Sequence, residues 1–137
     1  MTMHHAVIAE IVRRDPRYTY EAYEFVFEAW KHTLRMLERP AREGTAEEPT
    51  PAQHVSGREL MEGVRDLALR EFGLMARTVF RMWGIKTTDD FGEIVFNLVD
   101  ANLMNKTDQD SRHDFHAVFD FDQALVQSYQ IRLDEAE

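Results

Sequence analysis

The chain has 137 residues, 44% of them hydrophobic and 30% charged, with a net charge of −9. That predicts one globular domain over 1–137, long enough to bury a core without covalent staples. It has no cysteine, which excludes disulfides, thiolate metal sites and cysteine nucleophiles. No apolar run approaches the ~18 residues of a membrane span, and the opening Met-Thr-Met-His-His-Ala lacks the basic-then-apolar order of a signal peptide. The expectation is a cytoplasmic protein with no membrane contact.

Residues 3–14 read as a first helix, with Val7, Ile8, Ile11 and Val12 as its apolar stripe. Asp15-Pro16 stops it, because a residue before proline is pushed out of the α region. Thr19 is the expected N-cap of a second helix, from about Tyr20 to Leu37. Tyr23, Val26, Phe27, Trp30, Leu34 and Leu37 mark its predicted inner face. Aromatics this dense suit a core better than a ligand box, since they bury the most area per residue.

Residues 38–53 hold Pro40, Gly44, Pro49 and Pro51 and no apolar side chain larger than alanine. They read as an exposed loop or mobile linker inside the single domain. Order restarts at Ser56, which forms a capping box with Glu59. The third helix turns Leu60, Val64, Leu67, Ala68 and Phe72 inward and ends at Gly73. A fourth, Leu74 to Trp83, is predicted to point Met75, Val79, Met82 and Trp83 inward, with Gly84 as its stop.

The strongest helical signal spans Thr87 to Leu103 and predicts the centre of the core. Phe91, Ile94, Val95, Leu98 and Asn102 share one face, and Thr87 with Asp90 forms an acidic variant of the capping box. Gly63 and Gly92 each cost a helix ~1 kcal/mol against alanine. Close approach of another backbone is their expected reason, with the 57–72 helix crossing at Gly92. After Leu103, turn residues lead into Phe115, Ala117, Phe119 and Phe121, which alternate with polar residues. That period predicts a strand, paired with residues 103–106 in a small hairpin. Residues 123–133 form a last short helix or strand.

Charge is uneven along the chain. Residues 1–37 carry five basic and five acidic side chains, residues 54–85 five and four, and residues 86–122 three and nine. Acidity therefore gathers around and after the fifth helix. It repels phosphate backbones, so no nucleic-acid partner is expected. It suits solubility or a protein partner with a basic surface.

Four stretches taken together have a familiar look: Asp15-Pro-Arg-Tyr18, Ser56-Gly-Arg-Glu-Leu-Met-Glu-Gly-Val-Arg65, Asp90-Phe-Gly-Glu-Ile-Val-Phe-Asn-Leu-Val99, and Lys106-Thr107 followed by Phe119-Asp-Phe-Asp122. Nearly the whole chain resembles a family of small uncharacterised bacterial proteins. The resemblance implies a bacterial origin and brings no activity, cofactor or catalytic residue with it.

Three chemistries compete for the remaining residues. Helix–turn–helix–wing order in the second half resembles a winged helix, but that is architecture alone. A recognition helix needs Arg, Lys, Asn or Gln on bases and cations on phosphates. This one offers Asp89, Asp90, Glu93 and Asp100. A metal site at His113 and His116 fails because residues three apart on a strand face opposite ways. The Asp108 stretch also lacks the glycine and glutamate of a calcium loop. No metal is expected, and with no P-loop or dinucleotide fingerprint no cofactor is either.

The third possibility is a polar cluster: His54 and Arg58 at the start of the third helix, meeting Glu93, Asn97 and Asp100 on the fifth. A histidine and a glutamate do proton transfer when their pKa values are tuned. The sequence thus predicts a mainly α domain of about five helices with a small C-terminal β-hairpin. Its leading function is a non-catalytic interaction or regulatory module with an acidic face. The alternative is a small enzyme using His54, Arg58 and Glu93. Oligomeric state is left open.

Overall fold

The computed structural model describes residues 3–37, 55–104 and 112–127. Five α-helices carry the fold: α1 Met3–Arg14, α2 Tyr20–Met36, α3 Gly57–Phe72, α4 Ala76–Met82 and α5 Thr88–Asp100. The mainly α expectation holds. The predicted loop at 38–53, and His54 beside it, lie outside the described residues.

α2 is the element the others gather on, packing against α1, α3 and α5. It therefore buries more than one stripe: Ala22, Tyr23, Phe25, Val26, Ala29, Thr33 and Leu34 are all inside. Predicted inner residue Leu37, the C-cap of α2, is instead exposed. α2 and α3 cross with little room between them. A Cβ added at Gly63 would lie 1.7 Å from Thr33 Oγ1 and 3.3 Å from the Ala29 carbonyl oxygen. The Thr33 hydroxyl donates to that same carbonyl at 2.6 Å, so the buried polar atom is satisfied inside its own helix. Asp66 borders the crossing, bonded to His32 Nε2 at 2.7 Å and accepting from Arg70 Nε at 2.7 Å.

The other end of the α2–α3 pair is aromatic. Phe25 meets Phe72, Phe80 and Trp83 with ring centroids 5.4–5.8 Å apart. Phe80 continues the cluster to Phe91 at 5.1 Å and Phe121 at 5.4 Å. Such tilted and edge-on pairs contribute beyond their buried area.

α4 corrects a predicted face. Met75 and Met82 are 57% and 74% exposed, and Ala76 and Phe80 are the fully buried residues. Residues 73–75 form a tight 3₁₀ turn before the helix begins. At three residues per turn, it shifts the phase that a continuous helix from Leu74 would have had. Gly84 then closes α4 at φ 90. Its N–H reaches the Arg81 carbonyl and the Ile85 N–H reaches that of Phe80, the paired bonds of a Schellman stop.

α5 buries Phe91, Ile94 and Leu98 as predicted, and Phe96 besides, while Val95 is half-buried. Asn102 does not share that face. It is exposed at φ 62, with its N–H on the Val99 carbonyl and the Leu103 N–H on that of Leu98. Asparagine serves here as the left-handed cap that glycine supplies after α4.

That cap also removes one half of the predicted hairpin, because Leu103 and Met104 are committed to the end of α5; residues 105–111 lie outside the described residues. No strand occurs among the described residues. Residues 112–115 form a 3₁₀ turn and 122–127 a π-helical turn, joined through Ala117 at φ 48. The aromatics that alternate in sequence do bury Phe115 and Phe121. They do so from a bent segment whose Val118 N–H is met by the Thr88 hydroxyl at 3.2 Å rather than by a ladder. Phe115 also explains Gly92 and Gly57. A Cβ on Gly92 would come within 2.9 Å of Phe115 Cβ, and one on Gly57 within 3.2 Å of its ring. The close approach expected of Gly92 is real, but its partner is Phe115 rather than α3. The α3 crossing belongs to Gly63.

Candidate functional site

Among the described residues, the largest set of bonded polar side chains forms where the α1–α2 turn meets α5. Asp15 ends α1, its N–H still reaching the Ile11 carbonyl at 2.8 Å. Pro16 turns the chain and brings Arg17 back on Asp15. The guanidinium donates from Nε at 2.8 Å and from Nη2 at 2.7 Å, a two-pronged bond to one carboxylate. Glu93 and Asn97 stand one turn apart on α5 and both face this turn. Arg17 Nη2 lies 3.5 Å from Glu93 Oε2. Asn97 donates its amide to Asp15 Oδ2 at 3.0 Å and to the Tyr23 hydroxyl at 2.9 Å.

A second set of bonds anchors the turn from below. The Arg17 guanidinium lies 5.2 Å from the Tyr18 ring centroid, within cation–π range. Tyr18 is buried and donates its hydroxyl to Asp90 Oδ1 at 2.5 Å. The other Asp90 oxygen accepts from the Lys86 and Thr87 N–H groups at 2.7 and 3.1 Å, as the acidic N3 residue of a capped helix should. Gly84 supports the other side. A Cβ there would be 2.0 Å from the Arg17 carbonyl oxygen, so only glycine fits both its φ and this contact.

The electrostatics follow from these bonds. The Arg17 hydrogen bond pulls the Asp15 carboxyl down to about 2 against an opposing push from partial burial, with Asn97 helping. Asp15 in turn raises the Arg17 guanidinium further above its ordinary range. Burial raises Tyr18 well above a free tyrosine, and its bond to Asp90 adds to the effect. Burial also raises Tyr23, partly offset by Asn97. All four are held in the protonation state they have at neutral pH. A general acid or base needs a pKa near the working pH.

Of the predicted site residues, Glu93 and Asn97 come together here. Asp100 is exposed one turn beyond Asn97. Arg58 is exposed in the first turn of α3 and is not among the partners of Asp15, Arg17 or Asn97. His54 lies outside the described residues. Sequence reasoning placed Asp15 at a helix stop and Tyr23 on an inner face, and gave none of Asp15, Arg17, Tyr18 or Tyr23 a place in the site. The Asp-Pro-Arg-Tyr run was the available signal, but its partners lie more than 70 residues away.

His116 contacts Asp89 at 3.1 Å, and the side chain of His113 lies outside those described. Among the described residues, no three His, Asp or Glu converge as a metal site would require, and no helix is long and apolar enough to cross a membrane. No family model, curated protein or solved structure matches the chain.

Proposed function

We propose that this chain is a non-catalytic interaction module that engages a partner protein with a basic surface. The observation that carries the reading is the closed state of the polar cluster. The Asp15 carboxylate takes its bonds from Arg17 and Asn97, and Arg17 is spread over Asp15 and Glu93. These contacts tie α1, α2 and α5 together, which is work for a clamp rather than for proton transfer. The net charge of −9 supplies long-range attraction for a basic surface. Affinity capture from native lysate at low and high salt tests the reading. A basic protein retained at low salt and released at high salt supports it. Capture of no protein at either salt refutes it.

A further inference from the structure

Five large apolar side chains are exposed among the described residues, and three of them, Leu74, Met75 and Met82, belong to one short stretch. The other two, Met36 and Leu37, close α2. Met75, Val79 and Met82 recur at i, i+4 and i+7, so they share one face of α4. The inner face is already in use: Ala76 and Phe80 are buried, and Phe80 packs on Phe25, Phe91 and Phe121. α4 is therefore apolar on two sides and covered on one. The periodicity that predicts an inner face at Met75, Val79 and Met82 is real, but the face it marks looks outward. An exposed apolar patch of this kind marks a contact surface.

Charge singles out the same stretch. No Asp or Glu lies between Glu71 and Asp89, the longest acid-free run in a chain that has 25 of them. Arg77, Arg81 and Lys86 stand within it. Arg77 is taken by Asp122. Arg81 and Lys86 are exposed, and no ion pair among the described residues holds either. An open apolar face and local positive charge thus coincide on a protein that is acidic as a whole.

We infer that the outward face of α4 docks an amphipathic helical segment of an acidic partner protein. The apolar side chains of that segment lie on Leu74, Met75 and Met82, and its carboxylates meet Arg81 and Lys86. Charge complementarity selects this occupant over two others. A two-fold interface uses one patch twice, so a second copy brings its own Arg81 and Lys86 to the same contact. An anionic membrane is an extended negative plane, and the net charge of −9 opposes its approach. A single short segment is met within about 8 Å, the Debye length at physiological salt, where the local charge is positive. The inference adds a surface and does not rest on the basic-partner reading.

The test uses the full chain and two capped peptides that share a leucine stripe at helical spacing, one flanked by glutamates and one by lysines. Amide shifts on titration with the glutamate peptide should concentrate at residues 73–83, and binding should weaken as salt rises. The variant Met75→Gln/Met82→Gln keeps helix propensity and changes only exposed side chains. It should melt as the parent does and bind about tenfold more weakly. Arg81→Gln/Lys86→Gln should weaken binding several-fold. No binding, shifts centred elsewhere, equal binding of the lysine peptide, or parent-like affinity in the methionine variant would each overturn the inference. So would a dimer in sedimentation that the methionine variant abolishes, which would make the occupant a second copy. Flotation with phosphatidylglycerol vesicles, lost in the same variant, would make it a lipid surface and overturn it too. Capture of a basic protein from lysate tests the other reading and is independent of these results.

Discussion

Replacing Gly63 with alanine should destabilise the protein, although alanine is the better helix former by ~1 kcal/mol. The new Cβ would sit 1.7 Å from Thr33 Oγ1 and 2.9 Å from Thr33 Cβ. Rotating the hydroxyl away breaks its 2.6 Å bond to the Ala29 carbonyl, at about 1 kcal/mol. It still leaves the Cβ contact and the carbonyl at 3.3 Å, so the helices must part. Overpacking of this kind costs about 1–3 kcal/mol. The net loss is then about 1–3 kcal/mol, or a fall in Tm of several degrees for a chain of this size. Chemical denaturation read by tryptophan fluorescence measures it. A double-mutant cycle with Thr33→Ala isolates the cause. If the clash is with the threonine side chain, the second change recovers part of the loss, a coupling of about 0.5–2 kcal/mol. A Gly63→Ala variant as stable as the parent, or more so, would refute the crossing geometry.

Asp15→Asn should remove a stabilising contribution confined to one pH window. The folded pKa of about 2 lies below the unfolded value, so the unfolded chain takes up its proton first as pH falls. The contribution is full above about pH 4 and lost on the way down to about 2. Linkage caps it at about 2 kcal/mol, and the 53% exposure of the Arg17 side chain reduces it to about 1. Acid denaturation curves of parent and variant should therefore converge toward pH 2; a gap that persists there would count against the assignment. Asn97→Leu should cost about 1–3 kcal/mol, with the Asp15 carboxyl rising in an NMR titration; an unmoved Asp15 would sink the proposed bridge. Gly92→Leu should lower Tm through the Phe115 contact, and an unchanged Tm would argue that this segment is not wedged against α5.

Much of the helix plan was legible in the sequence because its causes are local. The ends of α1, α3 and α5 follow from Asp15-Pro16, from Ser56 with Glu59, and from Thr87 with Asp90, each a contact within three residues. Their stripes follow from a fixed period of 3.6. The errors began where the period changed. A three-residue 3₁₀ turn rotated α4 and exposed Met75 and Met82. A bent segment buried Phe115 and Phe121 with the spacing of a strand.

The candidate site was legible only in part. Glu93 and Asn97 were recognisable as neighbours on one helix, because spacing along a helix is a local fact. That they face Asp15, Arg17 and Tyr23 is a matter of how α1, α2 and α5 pack. Composition fixed which side chains could carry charge. The fold decided which of those charges are consumed internally, at Asp15, Arg17, Asp90 and Glu93, and which stay outside. That division depends on contacts between residues more than 70 positions apart, which spacing along a helix cannot bring together.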